Sequence, residues 1–350
     1  DLSALNIETP EIVCKATEHI KEMLEYVEKL MENGYAYETS TAIYFDISKL
    51  DKYPILSNLD VEKQKAGARV EIDPEKRNPQ DFALWIKAPE NHLMKWDSPW
   101  GPSYPGWHIE CSAMGQKYLG DQFDIHTGGI DLIPTHHENE IAQNDAKEGK
   151  QVVKNWMHVE FLQVDGGKMG KSLGNLYTLD QLIEKGYSPL DFRYLNLLTH
   201  YRKSLNFTFE GLTAAKQALK SLKQLAIEHK NGTAQVPKDK LDAYEKEFRD
   251  ALSDDINLPL AVGVVWKMLK NEPKSKDVYN LLMKFDTVLS LDLGKEDEVE
   301  IPEEIKNLAN ERVQARAEKN WAKSDELRDL IKSKGYLIKD TKDGYEISKI

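Results

Sequence analysis

The sequence predicts a mixed α/β fold followed by an α-helical bundle and a small terminal unit, and three observations carry that expectation. Gln122 to His126 reads as a strand leading into Thr127-Gly128-Gly129, with Asp131 and a helix beyond. In an α/β layer that order presents backbone amides to an anion or nucleotide. Helical apolar spacing recurs in four blocks, roughly Glu210 to His229, Leu241 to Ser253, Leu258 to Lys270 and Lys276 to Leu291, joined by polar loops such as Asn231-Gly232-Thr233 and Asn271-Glu272-Pro273. A charged helix from Pro302 to Lys334, stopped by Gly335, precedes a hairpin that ends at Ile350.

The whole chain sets bounds on function. Its 350 residues suffice for two or three domains, and 40% apolar with 30% charged content describes a soluble protein. No apolar run approaches the roughly 20 residues of a membrane helix and no signal peptide precedes the first helix, so a cytoplasmic protein is expected. Cys14 and Cys111 are its two cysteines, too few for a disulfide framework. A net charge of -12 argues against an indiscriminate nucleic-acid binder, although a shape-reading RNA enzyme with local basic patches fits it. The chain begins with Asp1 inside a helical pattern, which reads as a fragment.

In order, Ile12, Val13, Ala16, Ile20, Leu24, Val27 and Met31 predict a helix from Pro10 to Asn33 with Cys14 inside it as a packed or surface thiol, and Gly34 as its stop. Between Tyr35 and Trp100 short runs such as Ala42 to Phe45 and Phe82 to Ile86 predict a small mixed insertion. Its dense aromatics form a core or a binding surface. From Pro105 to Gln143 a thiol, imidazoles and carboxylates crowd together. His136 and Glu140 fall at i and i+4 on a helix starting near Pro134, so they share a face, and Cys111 must reach them across the fold. A thiolate, an imidazole and a carboxylate suit zinc. The same residues also read as a packed thiol and a solvated helix start. A metalloprotease is excluded, since His137-Glu138 is not followed by histidine at the required spacing.

Asn155 to Leu162 predicts a further buried strand, leading into Asp165-Gly166-Gly167-Lys168-Met169-Gly170-Lys171-Ser172-Leu173-Gly174-Asn175. Two lysines in a loop with four glycines can fold over a polyphosphate, or form a generic exposed loop. Helix follows from Thr178 to Leu198, with Pro189 opening its second segment, and Gly294 to Glu300 reads as an acidic linker.

These motifs together resemble the bacterial-type cysteinyl-tRNA synthetases, a family of class I aminoacyl-tRNA synthetases. The resemblance rests on PGWHIECSAM at Pro105 to Met114, on Gly128 to Gln143, on Trp156-Met157-His158, on the lysine loop and on NWAKSDELRD at Asn320 to Asp329. It implies the C-terminal part of a Rossmann-like catalytic domain (helix 1–34 and residues 105–205), an insertion over 35–104, a bundle over 206–293 and an anticodon-binding domain over 300–350. It implies zinc on Cys111, His136 and Glu140, with a second family cysteine and the HIGH-type motif lying in an N-terminal part that this sequence does not contain; Cys14 does not match the missing ligand. Lys168 and Lys171 correspond to the KMSKS lysines and would be catalytic, with Gly170 in place of the usual serine. Gly128, Gly129, Asp131, Met157, His158 and Lys171 would hold ATP with Mg2+, and Trp107 would line the amino-acid pocket. Arg316, Trp321, Asp325 and Asp340 would meet the anticodon of tRNA(Cys). The implied enzyme is a monomeric cysteine–tRNA ligase. An incomplete tRNA- or partner-binding fragment, or a cysteine:amino-sugar ligase, is the alternative.

Overall fold

A computed structural model describes residues 1–57, 73–295, 302–341 and 344–349. The expected acidic linker lies, beyond Lys295, outside the described residues.

The first helix, α1 (Ile20–Glu32), buries Met23, Tyr26, Val27 and Leu30 at helical spacing. It is shorter than the periodicity predicts. Ile12 and Val13 are exposed and precede a single 3-10 turn at Ala16–Glu18, so their apolar spacing finds no partner surface to stabilise helix. Cys14 is therefore not helical, and its thiol donates to Met114 Sδ at 3.6 Å.

Strands β1 (Ala36–Glu38), β2 (Ala42–Phe45), β3 (Phe82–Lys87) and β4 (Ser103–Pro105) form one antiparallel sheet in chain order. Ile43, Phe45, Phe82, Leu84 and Trp85 pack against Met23, Val27 and Leu30, while Tyr37, Ala42 and Tyr44 form a small cluster with Ala83 and Ile86. Most of these aromatics are thus core. Helix α2 (Trp107–Leu119) starts hard against this sheet: a Cβ on Gly106 would lie 2.1 Å from the Ala83 carbonyl oxygen, so only glycine permits the approach.

Strand β5 (Phe123–Gly129) runs through both glycines, where a turn is expected from sequence. A 3-10 turn at Ile130–Leu132 and one π-helical turn at Ile133–His137 then deliver the chain into α3 (Glu138–Glu148). Parallel pairing with β6 (Val153–Val159) explains the extension, because Gly128 and Gly129 find partners in His158 and Val159. The strand expected to run to Leu162 ends at Val159. It is largely half-exposed rather than buried, since among the described residues β6 bonds to β5 alone.

Strand β7 (Leu162–Val164) joins a different sheet with β8 (Gly167–Lys168) and β9 (Leu205–Phe207). Helices α4 (Leu179–Glu184) and α5 (Pro189–Leu197) both open on capping boxes, from Thr178 and Ser188, which fix their starts as the sequence predicts. Four helices follow, α6 (Phe209–Lys230), α7 (Lys238–Ser253), α8 (Leu258–Asn271) and α9 (Lys276–Leu289), matching the four predicted blocks within a few residues at each end. Their shared core also takes in Val164, Tyr194 and Phe207, so the bundle is continuous with β7, α5 and β9. The terminal helix predicted as one piece is two, α10 (Glu303–Ala317) and α11 (Trp321–Ser333). Lys319 adopts a left-handed conformation (φ 60°) and the Asn320 side chain caps α11 by accepting from Lys323 N. β10 (Tyr336–Thr341) and β11 (Gly344–Lys349) close the described chain as a hairpin.

Phe248 and Phe285 stack 4.1 Å apart at the centre of the bundle, and both are buried. Phe285→Ala is expected to destabilise the bundle by about 3–5 kcal/mol through lost transfer and a residual cavity. A denaturant unfolding curve with an unshifted bundle transition would contradict this packing.

Candidate active site

Three elements converge at the carboxyl ends of β5 and β6, where parallel α/β sheets bind ligands. The first turns of α2 supply Trp107 and, one turn later, Cys111. The π turn supplies His136 and His137, and α3 begins with Glu138 and Glu140. One donor atom each from Cys111, His136 and Glu140 lie within 4.8 Å of one another, with His136 and Glu140 buried and Cys111 half-buried. The π turn does not spoil the i, i+4 pairing: His136 Nε2 sits 2.9 Å from Glu140 Oε1.

Glu140 is fully buried, and among the described residues neither of its oxygens accepts an aligned hydrogen bond. An ionised carboxylate without such partners is unfavourable in an apolar interior by several kcal/mol. Its surroundings answer that charge with nitrogen and sulfur donors. Burial first, then the charges of Glu140 and Glu110, push the Cys111 thiol up to about 12. A divalent cation among the three donors reverses that order, offsetting the carboxylate and favouring thiolate. The donor set therefore fits zinc, whose ligands are thiolate, neutral imidazole and carboxylate.

Histidines surround this centre in a way that spacing did not reveal. His108 Nδ1 lies 3.0 Å from His136 Nδ1, and His137 Nδ1 lies 2.7 Å from His158 Nε2, so each ring is held from outside the cluster. Burial pushes His108 and His137 down to about 3 and also lowers His126 and His158; imidazoles kept neutral at pH 7 are free to coordinate or to accept hydrogen bonds. Trp107, itself 57% exposed, lays its ring 4.3 Å from that of His136. It borders a cavity of about 240 Å³ shared with His108, Tyr53 and Asn139.

Of the residues expected at a nucleotide, Gly128, Gly129, Asp131, Met157 and His158 lie side by side. In the β5–β6 register Thr127 faces Met157 and Gly128 faces His158. A side chain on Gly128 would meet His137 Cε1 at 2.5 Å, and one on Gly129 would meet the Asp131 carboxylate at 2.3 Å. The approach of the His137 ring and Leu132 explains Gly128, while at Gly129 a turn of the Asp131 side chain would relieve the contact; neither glycine has a positive φ. Lys168 ends β8 and Lys171 opens a 3-10 turn, both exposed. Asn175 spans this loop, its side chain accepting from Gly170 N at 2.9 Å and donating to Lys168 O at 3.0 Å.

At the far end of the chain Asp340 takes two hydrogen bonds from the buried Arg312, at 2.7 and 3.1 Å, and an ion pair from Arg316 at 3.1 Å. The Arg312 bond holds its carboxyl below the usual carboxylate range. Arg316 in turn lies 5.8 Å from the centre of the exposed Trp321 ring. Three of the four sequence candidates thus meet; Asp325, one helical turn beyond Trp321 on α11, pairs at 3.2 Å with Arg328, whose charge also acts on Asp340.

Sequence reasoning also missed Glu138. It is buried at the head of α3 and accepts three backbone amides, from Ile55 at 2.7 Å, Leu56 at 2.6 Å and Ser57, while Tyr53 Oη donates to the neighbouring Asn139 at 2.6 Å. A loop some eighty residues away in sequence is thereby fixed beside the donor cluster. Only the run of acidic and amide residues at a helix start hinted at it.

Residues 1–217 match the model of the family described as tRNA synthetases class I (C) catalytic domain. The chain is 41% identical to a cysteine–tRNA ligase of Treponema denticola over 97% of its own length and 76% of that protein's. It is 42% identical to cysteine–tRNA ligase 1 of Burkholderia lata over 99% and 74%. The chain belongs to the cysteine–tRNA ligase family. This family is part of the class I aminoacyl-tRNA synthetases, whose substrates are ATP, an amino acid and tRNA. A cysteine–tRNA ligase of Thermus thermophilus is 39% identical over 98% of the chain and 76% of that protein. Among solved structures, methionyl-tRNA synthetase of Mycobacterium tuberculosis in complex with methionyl-adenylate superposes with a TM-score of 0.52 at 15% identity, covering 83% of this chain and 73% of that one, which shows the shared α/β fold. Among the described residues no helix is long and apolar enough to cross a membrane.

Glu138→Ala is expected to free the loop without unfolding α3. Amide hydrogen exchange at Ile55, Leu56 and Ser57 should quicken at least tenfold, since each loses a bond to a charged acceptor. Unchanged exchange at those three amides would show that the loop is held by something else.

Proposed function

We propose that the chain activates cysteine with ATP and attaches it to tRNA(Cys), selecting cysteine through zinc held by Cys111, His136 and Glu140. The observation that supports this is the convergence of a thiol and an imidazole on a buried carboxylate that accepts no aligned hydrogen bond among the described residues. Bound there, zinc supplies a Lewis acid that favours the sulfur of cysteine over the hydroxyl of serine. Discrimination of that kind leaves no need for an editing domain.

In the reading proposed, a carboxylate oxygen of cysteine attacks the α-phosphorus of ATP and pyrophosphate leaves; a ribose hydroxyl of the tRNA end then attacks the adenylate carbonyl and AMP leaves. Lys168 and Lys171 offset the charge that develops on the phosphates, on a loop whose Gly170 adds freedom that closure must order. Gly128, Gly129, Asp131, Met157 and His158 hold the nucleotide, accompanied by Mg2+, and Trp107 walls the amino-acid pocket. Residues 206–293 meet the inner corner of the tRNA. Residues 300–350 meet the anticodon through Trp321 stacking and Arg316, with Asp325 and Asp340 beside them. The protein is proposed to act as a cytoplasmic monomer.

Two measurements test this. ATP–pyrophosphate exchange should run with cysteine and scarcely with serine, and Cys111→Ala should abolish zinc retention and that preference together. Equal rates for the two amino acids in the unaltered protein would remove zinc selection. Trp321→Ala should raise KM for tRNA roughly tenfold, the worth of one stacked base, and leave exchange untouched. A loss of exchange in that variant would put α11 at the wrong site.

A further inference from the structure

Glu140 has two carboxylate oxygens, and the zinc reading uses one. Oε1 faces His136; Oε2 faces the other way, toward His126 on β5, whose Nε2 lies 3.6 Å off. That separation is too long for a hydrogen bond. It is close to the edge of a tetrahedral zinc site, about 3.3 Å for nitrogen and oxygen each roughly 2.0 Å from the metal. His137 completes the set: one donor atom each from His126, His137 and Glu140 lie within 4.8 Å of one another. His137 is buried and held by His158 at its Nδ1, as metal-ligating imidazoles are held by an outer partner, and His126 stacks on Trp156 with ring centres 4.6 Å apart.

We propose that Glu140 is a bridging carboxylate and that His126, His137 and Glu140 form a second divalent-metal site, occupied when a zinc-class ion is in excess over one per chain. Its donors are nitrogen and oxygen without sulfur, so it binds more weakly than the sulfur-containing set and does not share its preference for soft ions. Because His137 packs on Gly128 at the end of β5, an ion there immobilises the ring that shapes the proposed nucleotide face, and excess metal slows adenylate formation. The proposal rests on the zinc reading only in sharing Glu140.

The test is titration of the metal-stripped 350-residue chain with Co2+, followed by absorption and by calorimetry. Two ions per chain are expected. The first should show a sulfur-to-cobalt charge-transfer band in the near ultraviolet, and the second only visible d–d bands. His126→Asn should remove the second ion and keep the charge-transfer band; Cys111→Ser should remove that band and keep an ion on the histidine set. A single ion per chain in the unaltered protein, or a second ion that survives His126→Asn, overturns the bridging site. Absence of the charge-transfer band with the histidine-set ion intact instead sinks the zinc reading alone.

Discussion

A buried carboxylate that accepts no aligned hydrogen bond among the described residues organises this protein. Glu140 is fully removed from water, and the cluster around it can be understood as the interior's response to that charge. His136 lies by one of its oxygens and His126 by the other, and the thiol of Cys111 lies beside the first pair. The contacts of His126 and Cys111 are not ordinary ion pairs at pH 7, because burial keeps His126 neutral and Cys111 protonated. A cation is the species that satisfies all of them together.

Holding the cluster requires exact placement of elements from far apart in the chain. Gly106 lets α2 close on β3, so that Cys111 arrives beside α3, and Gly128 leaves room for His137 against β5. A π turn, rather than a regular helix, brings the chain from β5 into α3, a local irregularity of the sort found at functional sites. Glu138 then ties the head of the same helix to backbone amides of the loop at 55–57. The two charged residues of the helix start therefore divide the labour: Glu138 satisfies backbone, and Glu140 is left for a ligand.

The terminal unit shows the opposite economy. Asp340 is saturated by Arg312 and Arg316, so it serves to aim the arginine beside Trp321 rather than to offer a free charge. The bundle between the two ends contributes apolar continuity, since its core extends into β7, α5 and β9 behind the lysine loop.

The bundle, the capped helices α4 and α5 and the i, i+4 relation of His136 to Glu140 are local properties, and the sequence alone determined them through apolar period, cap chemistry and helical spacing. Family motifs likewise marked Cys111, Lys168, Lys171 and Trp321 without a fold. What only tertiary structure decided are the relations between distant segments: His126 and His137 on one carboxylate, Glu138 on a loop near residue 55, Arg312 beneath Asp340, and the true length of β5 through its glycines. Sequence also misplaced the start of α1 and the break after α10, where burial and a left-handed Lys319 override apolar spacing. Periodicity records which face a residue takes within its own element. Which other element that face meets depends on long-range packing, and a single chain of letters carries no spacing rule for that.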